Sequence, residues 1–332
     1  MRAIYFPVLM AAISIVFVFG ALEIAVRTIV DDGMQFDLEM WKYARDVKTV
    51  SDDPLIGHQH GPDRSAELMG VLVETNAEGL RDRDFAFERT PGTLRIVMVG
   101  DSLTEGWGVP FEDTFSKRIE RMYADKGVQA EVINTGVGNW NTVQEVQFFL
   151  SNAYRYQPDI VVLNYFVNDA ELLAPSKPPS ILTSHCYSCT FLMGRIDTLL
   201  RQFSERQDFQ DYYLGLYGDG QAKGWMDSRA AIGRLAAYCA ENDIKLLVAS
   251  LPELHDVQDY QFGRITELVQ EAAEENGAEF VDLLPALEDQ ESSTLWVTPP
   301  DPHPNALANQ FLAEGLFEAL QKLDDSATAS AQ

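Results

Sequence analysis

The chain has 332 residues, 46% of them hydrophobic and 23% charged, enough to bury a full core in one large domain with attachments. Its 25 Lys and Arg against 51 Asp and Glu leave a formal net charge of −26 at pH 7. A surface this acidic repels polyanions, which argues against nucleic acid and anionic lipid headgroups as partners and makes a highly anionic polymer an awkward substrate.

The first element is apolar. From Ile4 to Leu22, IYFPVLMAAISIVFVFGAL, the chain runs 19 residues without a charge, close to the roughly 20 needed to span a bilayer. Arg2 precedes the run and Asp31 and Asp32 follow it. The positive-inside rule then keeps the short N-terminal end in the cytoplasm and exports the rest. Glu23, Ile24 and Val26 continue as an amphipathic helix toward Arg27, with no small-x-small cleavage site after the apolar run. This favours an uncleaved signal-anchor over a cleaved signal peptide. The expected organisation is a transmembrane helix over residues 1–30, held in the inner membrane through residues 4–26. A polar extension rich in Asp and Gly (31–90) would pack on the core, followed by the main domain (91–325) and a disordered tail (326–332). The protein would be a single-pass membrane protein with its main domain on the extracytoplasmic, periplasmic side.

Strand and helix patterns alternate from residue 94 onward. LRIVMVG (94–100), QAEVINTG (129–136), PDIVVLNYF (158–166), IKLLVASL (244–251) and AEFVDL (278–283) read as strands, and their Val, Ile and Leu density predicts burial on both faces. Helical patterns fill 113–126, 142–155, 226–242, 262–276 and 305–323, with Asp113 and Asn141 at expected N-caps. The alternation predicts a three-layer α/β/α domain around a mainly parallel five-stranded sheet. Residues 170–224 interrupt it as a long insertion. Export makes a local disulfide the simplest reading of Cys186 and Cys189 in HCYSC. A redox motif lacks its surrounding pattern, and a metal site with His185 lacks a fourth ligand. Cys239 falls on the apolar face of a helix.

Ligands of such sheets sit beyond the carboxyl ends of the strands. Four polar motifs reach that edge. GDS (100–102) leaves the first strand, NTGVGNWNT (134–142) the second and VND (167–169) the third, and DPHPN (301–305) precedes the last helix. A serine hydroxyl needs a base near pH 7, and His303 is the histidine on this edge with a carboxylate, Asp301, beside it. Asp301 would fix the tautomer that points Nε2 at Ser102. Attack on an ester puts charge on the carbonyl oxygen, and the candidate donors are the N–H of Ser102, the N–H of Gly138 or Asn139, and the side-chain amide of Asn168. Each residue also has a bland reading, with Ser102 as a helix cap, Asn168 and Asp169 as an Asx turn, and Asp301 as a turn before Pro302.

These blocks resemble the SGNH/GDSL hydrolase family over roughly residues 90–320. GDSLTEG (100–106) matches its first block, NTGVGNWNT its second, FVND (166–169) its third and DPHPN its last. NAEGLRDRDF (76–85) and the apolar N-terminus are similar to those of membrane-anchored bacterial members. In the second block the usual oxyanion glycine position is occupied by Asn139, with Gly138 just before it, and Asp301 and His303 stand two apart where many members have three. The resemblance implies a flavodoxin-like sheet and a metal- and cofactor-free serine esterase on O-acyl, foremost O-acetyl, esters of a small molecule or an extracytoplasmic glycan. An O-acyltransferase with the same triad and a silent glycan-binding envelope protein are the alternatives. The sequence leaves the oligomeric state open.

Other residues are read more plainly. Asp101 braces the loop, while Glu105 and Trp107 either line the cleft or pack. His58 and His60 read as a solvated loop rather than a metal pair, and His255, after the fourth strand, as able to approach the cleft but at best behind the residues that touch the substrate. The insertion would wall the cleft with Phe191, Tyr212, Tyr213, Tyr217 and Trp225.

Overall fold

The structure, a computed structural model, describes residues 2–173, 184–203 and 209–330. The apolar N-terminal segment is helix α1 (Arg2–Ala25), continued by a π turn over Val26–Val30. Its apolar side chains are exposed, and Tyr5–Val30 is long and apolar enough to cross a membrane, as a signal sequence also can be. The end of this segment is tied to the insertion: Glu23 accepts the N–H groups of Tyr187 and Ser188, and Arg27 donates to the carbonyl of His185.

Residues 31–90 form structure that composition alone did not reveal. Helix α2 (Phe36–Asp46) precedes two hairpins, β1 (Lys48–Val50) with β2 (His58–His60), and β3 (Ser65–Leu68) with β4 (Val71–Glu74). Together they bury Tyr43, Val47, Leu68, Met69 and Val73 against Trp107 of the main domain. The solvated-loop reading of His58 and His60 is therefore corrected: they lie on β2, and His60 is only 2% exposed. The Tyr43 ring covers the His60 imidazole edge-on and its hydroxyl supplies the polar partner that burial demands.

The main domain runs β5 (Leu94–Val99), α3 (Ser102–Glu105), α4 (Phe115–Asp125), β6 (Ala130–Asn134), α5 (Thr142–Ser151), β7 (Ile160–Tyr165), α6 (Tyr187–Phe203), α7 (Phe209–Tyr217), α8 (Lys223–Glu241), β8 (Lys245–Ser250), α9 (Gly263–Glu275), β9 (Glu279–Asp282), β10 (Trp296–Thr298), β11 (Asp301–Pro304) and α10 (Ala306–Ser330). All five expected strands form one parallel sheet in the order β6-β5-β7-β8-β9. Alternation places Val97, Val99, Val161 and Leu163 against α5, α8 and α9 on one face, and Ile96, Met98, Ile160 and Val162 against α4 and α10 on the other. The fold is a three-layer α/β/α fold with a flavodoxin-like strand order. The chain crosses from β5 to β6 on one side and returns to β7 on the other, so the switch point lies at the carboxyl ends of β5 and β7, where such sheets open a crevice.

Local signals fared unevenly. Asn141 caps α5 in a reciprocal capping box with Gln144. Asp113 is not the cap of α4: it belongs to a 3-10 turn (Phe111–Asp113), Thr114 takes the cap position, and the Asp113 carboxylate pairs with Arg118. Cys186 and Cys189 are disulfide-bonded, and Cys239 is a buried free thiol on α8. Helix α10 runs to Ser330, into the stretch read as a disordered tail, because SATAS (326–330) contains neither Gly nor Pro to stop it. Residues 331–332 lie outside the described residues, as do 174–183 and 204–208 of the insertion.

Candidate active site

Ser102 opens α3 immediately beyond β5, at the switch point. Asp101 caps this short helix by accepting the Leu103 N–H at 2.9 Å, which braces the loop as its position suggested. The loop after β6 comes unusually close: a Cβ on Gly136 would stand 2.3 Å from the backbone nitrogen of Glu105, so only glycine fits there.

The last block reaches the same point from the other end of the chain. Ser102 Oγ lies 2.9 Å from His303 Nε2, and His303 Nδ1 lies 2.5 Å from Asp301 Oδ1. The Asp301 carboxylate also accepts the His303 backbone N–H at 3.2 Å and the indole N–H of Trp107 at 2.9 Å. Burial works against its charge, but the hydrogen bond and charge of His303, with the Trp107 N–H, hold its pKa below the ordinary carboxylate value. Trp107 is thus a buried donor to Asp301 rather than a cleft wall. Phe36 of the N-terminal segment and Trp107 flank the imidazole, with ring centroids 6.2 and 6.3 Å away. A hydroxyl bonded to an imidazole that is itself held by a buried carboxylate is arranged to give up its proton on attack.

Asn168 sits on the 3-10 turn after β7 and shares one cavity of about 120 Å³ with Ser102 and His303. Phe166, Phe209, Tyr213 and Leu254 supply its apolar walls. The Asn168 amide interacts with the Asp101 carboxyl, which burial shifts to a raised pKa. Beneath this turn, Glu145 and Asp169 are fully buried, and the Asp169 carboxyl accepts the Phe166 N–H at 2.9 Å. Burial first, then the charge of Asp101 and, for Glu145, that of Asp169, raise both pKa values well above the ordinary range.

The two backbone donor candidates separate. The N–H of Gly138 already donates to the Tyr43 hydroxyl at 2.9 Å. The N–H groups of Ser102 and Asn139 make no hydrogen bond among the described residues, and Asn139 holds φ at +64°, the left-handed conformation for which glycine is best suited. Glu105 is fully buried and accepts from Tyr43 at 2.9 Å, so it does not line the cavity. Lys48 donates to the Gly138 carbonyl at 2.6 Å and to Asn139 Oδ1 at 2.7 Å, and burial lowers its pKa to about 7.

The insertion contributes to the cavity wall through Tyr213 and through Phe209, a residue that no sequence pattern singled out. Tyr217 and Trp225 are core residues, and Tyr212 is exposed. Phe191 lies under the Arg195 guanidinium on α6 instead of walling the cavity. His255 bonds the cavity-lining Glu253 through Nδ1 and packs between Phe209 and Trp296. A larger groove of about 740 Å³ runs between β9 and α10 but holds none of the four blocks.

No curated protein matches the chain. Among solved structures, TesA is 13% identical, with a TM-score of 0.46 over 69% of this chain and 99% of that one. The psychrotrophic esterase EstA from Pseudoalteromonas sp. is 13% identical, with a TM-score of 0.44 over 70% and 98%. Axe2, an acetylxylan esterase from Geobacillus stearothermophilus, is 13% identical, with a TM-score of 0.45 over 68% and 93%. The sequence profile of the GDSL-like lipase/acylhydrolase family matches residues 98–311, a span that begins inside β5 and ends in α10 and so takes in all four blocks. The chain belongs to that family and is a carboxylic ester hydrolase.

Proposed function

We propose that the protein is a membrane-anchored serine esterase that removes short O-acyl groups, acetyl foremost, from an extracytoplasmic glycan or small molecule. The observation that carries this reading is the continuous chain of hydrogen bonds from Ser102 Oγ through His303 to Asp301. Ser102 attacks the ester carbonyl while His303 Nε2 takes its proton. Asp301 stabilises the imidazolium, which then protonates the departing alcohol. The tetrahedral oxyanion is met by the N–H groups of Ser102 and Asn139 and by the amide of Asn168. Water, activated by the same histidine, releases the acid from the acyl-enzyme.

The size of the cavity supports a short acyl group. Phe166, Phe209, Tyr213 and Leu254 narrow the space beside Ser102 to about 120 Å³, which favours a short acyl group over a long aliphatic chain. The formal charge of −26 favours a neutral acylated substrate over a polyanion. The helix over Tyr5–Val30 serves as a single-pass anchor, with Arg2 in the cytoplasm and Asp31 and Asp32 on the periplasmic side. Residues 91–325 are the hydrolase domain, and the insertion over 170–224 forms one wall of the cleft.

The test uses the full chain in detergent with nitrophenyl esters of increasing acyl length, with and without an added oligosaccharide acceptor. Hydrolysis should be fastest for acetate and fall with chain length, and Ser102→Ala and His303→Ala should each abolish it while remaining folded. Activity surviving in Ser102→Ala would overturn the mechanism. A preference for long chains would overturn the acyl assignment, and transfer outrunning hydrolysis would make the enzyme an acyltransferase.

A further inference from the structure

The segment between the apolar helix and the hydrolase fold does more than connect them. Its Tyr43 hydroxyl is placed 2.9 Å from the Gly138 nitrogen, 2.9 Å from Glu105 Oε2 and 2.6 Å from His60 Nε2. A phenol oxygen has one proton and two lone pairs. Donating to Glu105 and accepting from Gly138 leaves one lone pair, which assigns the Nε2–H tautomer to His60. Burial and the nearby cations Lys48 and Arg81 lower the His60 pKa to about 3, so that histidine stays neutral. The hydroxyl is therefore fully satisfied and held in one orientation.

The peptide that follows is held as firmly. The Gly138 carbonyl accepts from Lys48 Nζ at 2.6 Å and from His58 Nε2 at 3.0 Å, and Lys48 also reaches Asn139 Oδ1. A Cβ on Gly138 would stand 2.8 Å from the Tyr43 ring, so the loop lies directly on that ring. Two further bonds tie the following residues to the same segment, from the Trp140 indole to the His58 carbonyl and from the Gln144 amide to the Ile56 carbonyl. The N–H of the peptide that carries the Gly138 carbonyl is that of Asn139, which has the left-handed φ and makes no hydrogen bond among the described residues.

We propose that Tyr43 and Lys48 are positioning residues for ester hydrolysis, holding the two peptides that flank Gly138 so that the N–H of the second, that of Asn139, points at the oxyanion. The inference rests on Ser102 as nucleophile and on Asn139 as a donor. It makes residues 36–60 part of the catalytic unit, although the family match begins only at residue 98. A donor acts on the transition state more than on the bound ester, so loosening the loop lowers turnover more than binding.

The experiment measures kcat and KM for a nitrophenyl acetate on Tyr43→Phe, Lys48→Met and Lys48→Arg in the full chain. Each rate is divided by the number of sites titrated with a fluorophosphonate, so that unfolded protein is not counted. Tyr43→Phe and Lys48→Met should each lower kcat per titrated site by about tenfold or more, the range expected for a small misplacement, with KM changed by less than about threefold. Lys48→Arg should recover part of the loss because it keeps a donor toward the Gly138 carbonyl. The same variants should bind a boronic acid inhibitor more weakly in proportion to their loss of kcat, because its tetrahedral adduct occupies the oxyanion site. A purely structural role would reduce the number of titrated sites and leave kcat per site unchanged, which overturns the proposal. If Ser102→Ala retained activity, the underlying mechanism would have failed instead, and the two failures are told apart by that control.

Discussion

Replacing Asp301 by asparagine tests the triad more sharply than deleting it, because the structure dictates how the amide must turn. The carboxylate accepts from three donors: His303 Nδ1 at 2.5 Å, the His303 N–H at 3.2 Å and the Trp107 indole at 2.9 Å. An asparagine has one oxygen for these positions. If the oxygen faces His303, its NH₂ meets the buried Trp107 N–H donor to donor, leaving a buried hydrogen bond unmade at a cost of about 1–3 kcal/mol. If the oxygen faces Trp107, the NH₂ faces His303 Nδ1 and only the longer backbone contact is lost. The second arrangement forces the proton onto Nε2, where it points at Ser102 and cannot accept the hydroxyl proton. Loss of the correct tautomer in a serine triad lowers kcat by about 10⁴, equivalent to about 5 kcal/mol of transition-state stabilisation. Asp301→Asn should therefore fold normally and lose about three to four orders of magnitude in kcat. Adding Trp107→Phe removes the donor that turned the amide. The double variant should then be at least about tenfold more active than Asp301→Asn alone, a non-additivity expected of residues in contact. Stopped assays of kcat on both variants, with melting temperatures on the same preparations, decide the matter. A single variant within tenfold of the parent, or a double variant no better than the single, would refute the reasoning.

Asn168→Ala should lower kcat by about 10²–10³ with little change in KM, as for loss of one oxyanion donor; a lowered melting temperature with unchanged kcat would instead make Asn168 a brace for its turn. The buried pair Glu145 and Asp169 has folded-state pKa values raised well above the ordinary 4.5 and 3.8. The folded protein then holds protons that the unfolded chain has released, so the pair's stabilisation is complete below about pH 4 and declines as pH rises toward the raised values. Glu145→Gln, which removes one of the two titrating carboxyls, should flatten the fall in melting temperature as pH rises above about 5; parallel slopes for parent and variant would sink the assignment of raised pKa values to this pair. Alkylation of the denatured, unreduced protein should count one free thiol, Cys239, with Cys186 and Cys189 protected as a disulfide; three labelled thiols would contradict the pairing.

Much of the fold was legible because local signals carry it. Five runs dense in Val, Ile and Leu named five strands to within a few residues, and parallel strands covered on both faces have no polar side to confuse the pattern. That Ser102, Asn168, Asp301 and His303 would meet at one edge was legible for a related reason: each follows or precedes a recognisable element at the edge where such sheets bind ligands. Asp113 failed as a cap because a 3-10 turn, invisible to helical periodicity, took up the residue first.

What only the tertiary structure decided are pairings between distant segments. Trp107 and Asp301 lie 194 residues apart, and Tyr43 and Gly138 lie 95 apart. A hydrophobic or polar pattern reports that a side chain is buried, but not which partner the topology brings to it. Composition marked 31–90 as a polar extension because Asp and Gly dominate its turns; the few residues that matter to the site, Tyr43, Lys48, His58 and His60, have no periodic signature. The choice between Gly138 and Asn139 was open for the same reason. Both peptides have an N–H, and the sequence cannot say which one another segment has already taken; the Tyr43 hydroxyl occupies that of Gly138, and this contact exists only once the chain has folded back on itself.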